Sequence, residues 1–209
     1  MSQELTKRIL SSLILIPITL FFIIEGSFLF IFFLFICLSL IIYEWHKMSK
    51  KKSYSVFGYI FLILSFYTIY KLRIDNDYSF LLFITIICVS TDIGGYIFGK
   101  TFKGPKLTKF SPNKTYAGMI GGYLLSIISA IILTNFYFKE EPLIKLLIFV
   151  ILTSSISQLG DIIISYFKRI SKIKDTGKII PGHGGLLDRV DGMIFAFPFS
   201  YLILLTDSL

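Results

Sequence analysis

Long apolar runs alternate with short polar segments along this chain, and the runs have no polar face. The stretch "FLFIFFLFICLSLII", which begins at Phe28, is typical. An amphipathic surface helix needs a polar side, so such runs predict helices surrounded by lipid. A bilayer core takes roughly 20 apolar residues. We mark seven candidate spans, of which the first and last are short: 9–24, 27–43, 54–70, 79–98, 116–134, 143–164 and 193–206.

Composition supports the same class of protein. Only 16% of the 209 residues are charged, whereas a soluble domain carries about 25%. The sequence therefore predicts an all-α polytopic membrane protein with one integral membrane domain over residues 1–209. The first apolar run follows Lys7 and Arg8, as a signal peptide would, but it lacks a small-residue cleavage site. We interpret it as a retained span, in a tight hairpin with the second span at Glu25-Gly26.

The basic residues predict the orientation of the spans. Of the 21 Lys and Arg residues, 17 fall in the N-terminus and in alternate loops, and such loops face the cytoplasm. We expect a multi-pass protein of the cell (inner) membrane whose N-terminus and polar loops are cytoplasmic. The net charge of +8 follows from this rule and from attraction to anionic lipids, so we predict no nucleic-acid partner.

A first polar cluster, "STDIGGYIFGKTFKG", places Asp92 inside an apolar span near its inner end. A carboxylate within the membrane is a functional candidate because its insertion is costly. The alternative is a purely structural pair with a neighbouring Lys. The glycines Gly94, Gly95 and Gly99 allow either close helix packing or close approach of a ligand.

A second cluster, "KLTKFSPNKTYAG", predicts the start of a helix, with Ser111 as N-cap and Pro112 at the first helical position. Three lysines, Lys106, Lys109 and Lys114, lie beside that predicted helix end. Free backbone amides and cations together bind phosphate well. The alternative is a basic connecting loop that only obeys the orientation rule.

A third cluster begins in the sixth span. Ser157, Asp161, Ser165 and Lys168 or Arg169 recur at three- and four-residue spacing, so on a helix they share one face. A polar stripe on a membrane helix has to face the bundle interior or a cavity.

The third cluster continues through "KDTGKIIPGHGGLLDRVDG". If its end opens the last helix, Asp188 and Asp191 lie on one face, and with Asp161 opposite they form the oxygen set that Mg²⁺ prefers. His183 is either a hydrogen-bonding loop residue or a phosphate contact. His and Cys do not cluster, which argues against a zinc site, and we interpret Cys37 and Cys88 as inert.

Carboxylates among many cations suit phosphoryl or nucleotidyl transfer, which needs positioning and charge neutralisation more than covalent help. A site at the membrane surface would join a lipid to a soluble anion. An ion-coupled transporter is an alternative, with Asp92 and Asp161 as a cation path, but the acids cluster at one face and the chain has no internal repeat. A purely structural membrane protein would not need three polar clusters.

These residues resemble a family signature. Ser165, Lys168-Arg169, Lys174-Asp175, His183-Gly184-Gly185, Asp188-Arg189 and Asp191 fit every fixed position in the signature of the phosphatidate cytidylyltransferase family, also called CDP-diacylglycerol synthase. "DIGGYIFGK" and "QLGD" are similar to its upstream motifs. The family's Ser-Pro-Lys-Lys-Thr followed by Glu-Gly stands here as "SPNKTYAG", with Asn113 and Ala117 as departures. The pattern of CDP-alcohol phosphotransferases, a second enzyme class considered, is absent.

The resemblance implies the reaction CTP + phosphatidate → CDP-diacylglycerol + pyrophosphate with Mg²⁺, a catalytic core over 79–209 and accessory spans over 1–78. It implies metal binding by Asp161, Asp188, Asp191 and Asp92. Phosphate binding is implied for Lys168, Arg169, Lys174 and Arg189, with further substrate contacts from Ser111, Lys114, Thr115, Ser165, Gly184 and Gly185. Asp175 and His183 belong to the signature without an assigned role. The oligomeric state is open, with a homodimer as one option.

Overall fold

The structure, a computed structural model, describes residues 3–50, 52–109, 111, 113–137, 142–182 and 184–206, so His183 lies outside the described residues. Within these ranges every regular element is a helix, which confirms the predicted all-α class. The helices are α1 (Gln3–Glu25), α2 (Ser27–Ser49), α3 (Ser55–Asp75), α4 (Tyr78–Phe102), α5 (Tyr116–Tyr137), α6 (Leu143–Ile170), α7 (Leu187–Val190) and α8 (Met193–Leu205).

Five of these helices, α2 to α6, are long and apolar enough to cross a membrane. The apolar part of α1, Leu10–Glu25, and helix α8 are shorter, as the sequence predicted for the first and last spans. Large apolar side chains face outward along the helices; Phe28 and Phe57, for example, are 75% and 76% exposed. Such surfaces suit lipid, and the polytopic membrane fold is confirmed.

Helices α2 to α6 all run past the apolar runs that predicted them, and α2 and α6 do so by the most. Helix α2 ends at Ser49 instead of residue 43, and α6 ends at Ile170 instead of residue 164. Hydropathy marks where side chains become polar, whereas backbone hydrogen bonding continues through polar residues. Glu44 and Lys168 consequently lie on helices, where their directions are fixed by the helix.

The described chain forms two compact units. The first comprises Met1–Tyr78 with Phe167–Asp191, and the second comprises Ser79–Tyr166 with Gly192–Leu209. The predicted catalytic core over 79–209 includes residues 167–191. In the structure this segment, which holds most of the signature, is part of the same unit as the N-terminal helices.

Within the first unit, Arg73 of α3 binds the C-terminal end of α1. Its guanidinium donates from Nε to the carbonyl of Ile23 at 2.7 Å and from Nη2 to that of Ile24 at 3.1 Å. These are terminal carbonyls of α1 that have no partner within the helix. Gly26 has φ 67°, and a Cβ there would lie 2.5 Å from Nη2 of Arg73. The predicted tight hairpin between α1 and α2 is confirmed.

The second unit is packed through glycines. A Cβ on Gly94 of α4 would overlap the carbonyl oxygen of Gly121 on α5, and one on Gly118 would lie 2.7 Å from the carbonyl oxygen of Gly95. Small residues let membrane helices approach closely. Close helix packing, one of the two alternatives for these α4 glycines, is therefore what the structure has. Hydroxyl pairs add to it, such as Thr91 Oγ1 donating to Ser154 Oγ at 2.8 Å.

Candidate active site

The signature segment leaves the end of α6, forms a loop over residues 171–186 and enters the short helix α7. Within the loop, the amide of Ile180 donates to the carbonyl of Gly184 at 3.0 Å and closes a tight turn. Gly182 and Gly184 have φ of 77° and 89°, a left-handed conformation that favours glycine. The loop leads to Asp188, which lies on α7, and to Asp191, which directly follows α7.

Lys168 meets both of those aspartates. Its Nζ lies 2.9 Å from Oδ1 of Asp188 and 3.7 Å from Oδ2 of Asp191. The side chains are 11%, 5% and 12% exposed, in the order Lys168, Asp188, Asp191. The predicted three-residue spacing on one face is confirmed, although α7 is only one turn long. This lysine–aspartate cluster contains one cation and two carboxylates, so its formal charge is negative.

Asp188 also holds the loop. Its Oδ2 accepts hydrogen bonds from the amides of Thr176 at 2.8 Å and Gly185 at 3.0 Å. A Cβ on Gly184 would lie 2.8 Å from the same oxygen. Gly184 is a predicted substrate contact, and the close approach of the Asp188 carboxylate is an additional reason for glycine at this position.

Glu44 of α2 is the site residue that sequence reasoning missed. It is 1% exposed and accepts hydrogen bonds from Thr176 Oγ1 at 3.0 Å, Leu186 N at 2.9 Å and Leu187 N at 2.8 Å. A Cβ on Gly185 would lie 2.5 Å from Glu44 Oε2. The signal was available, because Glu44 is a lone acid directly after an apolar run. The predicted span ends at residue 43, and Glu44 is not among the predicted site residues.

The remaining described signature side chains of the first unit face outward. Arg169, Lys174, Asp175 and Arg189 are all exposed. Arg169 Nη1 lies 3.5 Å from the carbonyl of Ile173, at the end of α6. Exposed cations beside a buried cluster leave this surface suited to a soluble anion.

Asp161 lies in the second unit, where it forms an ion pair with Lys114. Ser165 Oγ donates to Asp161 Oδ1 at 3.3 Å, so the predicted polar face of α6 is confirmed for these two residues. Asp161 and Asp188 belong to different units, and their predicted arrangement around one metal stays a prediction. Asp92 lies on an exposed part of α4, and its metal role also stays a prediction.

The predicted helix start at Ser111 was wrong. Helix α5 begins at Tyr116, and Thr115 is its cap, with Oγ1 accepting the amide of Gly118 at 3.1 Å. The Ser111 carbonyl instead accepts the amide of Lys114 at 3.1 Å in a turn. The amide of Leu107 donates to the carbonyl of Lys114 at 2.8 Å, and Lys106 forms an antiparallel bridge with Thr115, directly before α5. Pro112, predicted as the first helical residue, lies outside the described residues.

The carboxylates of the lysine–aspartate cluster fit Mg²⁺ by number and type. In neither unit do the described residues include three or more His, Cys, Asp or Glu side chains grouped to hold a metal. Mg²⁺ does not need such a group, since it keeps several waters and is bound through one or two carboxylates plus substrate phosphates. Asp188 and Asp191 supply two carboxylates near one another. Oδ2 of Asp188 already accepts two amides, whereas among the described residues Oδ1 accepts only from Lys168 and retains one lone pair for a metal.

Comparisons with known proteins identify the family of this chain. The cytidylyltransferase family model matches residues 6–77 and 71–206. The phosphatidate cytidylyltransferase of Rickettsia felis is 35% identical over 213 residues, covering 96% of this chain and 92% of that protein. The enzyme of the same name from Staphylococcus saprophyticus is 34% identical over 177 residues, covering 81% and 68%. That of Bacillus subtilis is 36% identical over 148 residues, covering 69% and 55%. The chain therefore belongs to the cytidylyltransferase family and is a membrane-embedded nucleotidyltransferase.

Proposed function

We propose that this protein is a CTP:phosphatidate cytidylyltransferase, which makes CDP-diacylglycerol and pyrophosphate for phospholipid biosynthesis. Relatives of that name, similar over most of the chain, support the substrates. The observation that carries the proposal is the buried contact of Lys168 with Asp188 and Asp191 inside the signature segment. Family membership also decides against the transporter, structural-protein and CDP-alcohol phosphotransferase alternatives.

The proposed reaction is a direct in-line transfer. An oxygen of the phosphatidate phosphate forms a bond to the α-phosphorus of CTP, the bond from that phosphorus to the bridging β-phosphate oxygen breaks, and pyrophosphate leaves. Phosphate oxygens are already anionic near neutral pH, so no strong general base is required. Such a step is accelerated mainly by positioning and by neutralising charge on phosphate oxygens.

The chain's charged groups divide that work. Arg169, Lys174 and Arg189, which are exposed, bind phosphates of the incoming nucleotide, and Arg does so with a bidentate fork. Lys168 holds the two aspartates in one orientation through its ammonium. Lys114, with Ser111 and Thr115, adds a further phosphate contact, as does Ser165.

Asp188 and Asp191 would hold Mg²⁺, with Asp161 and Asp92 as further candidate ligands. Mg²⁺ bound there would withdraw negative charge from the phosphate oxygens. The carboxylates themselves orient these ligand oxygens, because Asp188 is fixed by two loop amides as well as by Lys168.

An apolar groove in the first unit supports a lipid substrate. Its volume is about 570 Å³, and its walls come from α1, α2 and the signature loop. Representative lining residues are Ile14, Phe33, Cys37, Leu40, Ile180 and Leu186. Ser11 Oγ donates to the carbonyl of Pro181 at 3.2 Å and joins α1 to the loop. Because the signature loop itself forms one wall, we assign the groove to an acyl chain of phosphatidate whose phosphate lies at the signature.

The same reaction supports the proposed orientation. CTP is a cytoplasmic solute, so the signature and the N-terminus would face the cytoplasm, on the side that holds 17 of the 21 basic residues. We propose the cell (inner) membrane as the location. The homodimer stays a prediction.

The test is an assay in detergent micelles with purified protein, phosphatidate, Mg²⁺ and radiolabelled CTP, followed by extraction of labelled lipid into the organic phase. We expect label in the lipid with CTP and phosphatidate, loss of label with EDTA, and recovery with excess Mg²⁺. ATP, GTP, UTP and diacylglycerol, which lacks the phosphate, serve as substrate controls.

Two variants complete the test. Asp188→Asn should lower kcat by about 100-fold or more, since it removes a charge that acts on the reacting groups. Lys71→Gln is the matched control, because Lys71 pairs with Asp75 on a partly exposed helix surface outside the signature. Folded wild-type protein that labels no lipid from CTP and phosphatidate would overturn the proposal.

A further inference from the structure

A buried acid outside the signature binds the signature. Glu44 lies on α2, yet all three of its donors belong to the loop and to the start of α7: Thr176, Leu186 and Leu187. A buried acid is costly unless its oxygens are hydrogen-bonded. Here both oxygens of Glu44 are used, and the amides of Leu186 and Leu187 are ones that a helix start leaves without internal partners.

Thr176 connects Glu44 to Asp188. Its hydroxyl donates to Glu44 Oε2 at 3.0 Å, while its amide donates to Asp188 Oδ2 at 2.8 Å. Two consecutive amides near α7 connect the same two carboxylates. The amide of Gly185 donates to Asp188, and the amide of Leu186 donates to Glu44. A displacement of Glu44 therefore moves two of the backbone donors that orient Asp188.

Trp45, which follows Glu44 on α2, contacts the part of α6 that carries Lys168. The Trp45 ring centroid lies 5.3 Å from that of Phe167, the residue before Lys168. Trp45 Nε1 also donates to the carbonyl of Ser55 at 3.0 Å. Consecutive residues of α2 thus contact both sides of the Lys168–Asp188 pair.

We propose that Glu44 is a positioning residue for nucleotidyl transfer: it holds Thr176 and the start of α7 so that Asp188 and Lys168 keep their reactive arrangement. This inference rests on the proposed function. Glu44 acts through the loop and not on the substrate, and the exposed cations assigned to CTP are not among its hydrogen-bond donors. We therefore expect its loss to lower kcat by about 10–100-fold, the usual effect of removing an outer partner of a site, with KM for CTP changed less than threefold or so.

The first variant is Glu44→Gln, which keeps the size but offers one acceptor oxygen in place of two. The new NH₂ group would face an amide or hydroxyl that is already a donor. Thr176→Val removes one hydroxyl contact and should lower kcat in the same direction by a smaller factor. Thr176→Ser restores the hydroxyl and should recover near wild-type kcat. Glu25→Gln, at an exposed glutamate at the end of α1, is the matched control.

Limited trypsin digestion gives a readout that does not depend on activity. Lys174 and Lys178 are exposed on either side of Thr176, so a loosened loop should be cut there faster. We expect Glu44→Gln and Thr176→Val to be cleaved about 10-fold faster at these lysines, by loss of roughly one hydrogen bond's free energy. The thermal midpoint of the Thr176→Val protein in detergent should stay near that of wild type.

The outcomes separate the two proposals. Wild-type kcat in Glu44→Gln would overturn the positioning role, as would wild-type kcat and cleavage in Thr176→Val. If Glu44→Gln does not fold, Thr176→Val against Thr176→Ser still decides the question. A wild-type protein that does not use CTP and phosphatidate would overturn the proposed function alone, because the cleavage comparison stands without it.

Discussion

Lys168 Nζ lies 2.9 Å from Asp188 Oδ1, and the two side chains are only 11% and 5% exposed. Removing water from such a pair costs about as much as the attraction returns, and apolar residues of similar volume are often equally stabilising. Stability alone therefore gives little reason for this pair in a membrane protein. A chemical reason is available, because the second carboxylate, Asp191, leaves the cluster one negative charge in excess and ready for a cation.

Asp191→Asn should raise the Mg²⁺ concentration needed for half-maximal activity by about 10–100-fold, as expected when one carboxylate of a metal site becomes neutral. Asn keeps the size and one acceptor oxygen, so the position remains filled. The measurement is the initial rate of lipid labelling as a function of free Mg²⁺ at saturating CTP.

Asp75→Asn is the control for that experiment. Asp75 pairs with Lys71 at 3.1 Å on a partly exposed surface of α3, and its loss should leave the Mg²⁺ dependence unchanged. An identical Mg²⁺ curve for Asp191→Asn and wild type would remove Asp191 from the metal site.

The Lys114–Asp161 pair should matter for activity more than for stability. The two side chains are 24% and 27% exposed, and ion pairs open to solvent contribute about 1 kcal/mol or less. Lys114→Gln and Asp161→Asn should each lower kcat/KM for CTP by about 10-fold or more, while the thermal midpoint in detergent moves by only a few degrees. If the two act as one unit, the double variant should lose less than the product of the single losses. If each variant lost activity only in proportion to its loss of folded protein, a role of this pair in activity would be contradicted.

Much of the fold could be predicted from the sequence because membrane helices are specified locally. An apolar run of sufficient length has few alternatives to a helix in lipid, and the seven predicted spans correspond to α1–α6 and α8. The spacing of Asp188 and Asp191 was likewise a local property. Helix periodicity placed both on the face that Lys168 contacts.

The misses were properties of tertiary structure. Ser111 has the chemistry of an N-cap, but pairing between Leu107 and Lys114 delays the helix until Thr115. Nothing near Glu44 in the sequence identifies its partners, since Thr176 is 132 positions away. Its position directly after an apolar run is unusual for an acid, but its contacts depend on how the loop returns to α2.

Two adjacent glycines of α4 should respond differently to alanine. A Cβ on Gly94 would overlap the backbone carbonyl of Gly121, whereas one on Gly95 would lie 3.7 Å from the carbonyl oxygen of Gly118, an ordinary contact. Gly94→Ala should lower the free energy of unfolding by about 1–3 kcal/mol through overpacking, and the thermal midpoint should fall clearly. Gly95→Ala should be neutral or slightly stabilising, since Ala favours helix by up to 1 kcal/mol or so. Equal midpoints for the two variants would contradict the packing of α4 on α5.

Filling the apolar groove should make the enzyme selective for short lipids. Cys37 lines the groove on α2, and Cys37→Trp would take space needed by an acyl chain. Excluding two methylenes from the groove costs about 1.6 kcal/mol of binding free energy, which raises KM for long-chain phosphatidate roughly 10-fold. The KM values for short-chain phosphatidate and for CTP should stay unchanged. Phe35→Trp is the control, because Phe35 is 67% exposed on the same helix and is not among the lining residues. A uniform change across chain lengths in Cys37→Trp would assign the acyl chain to another surface.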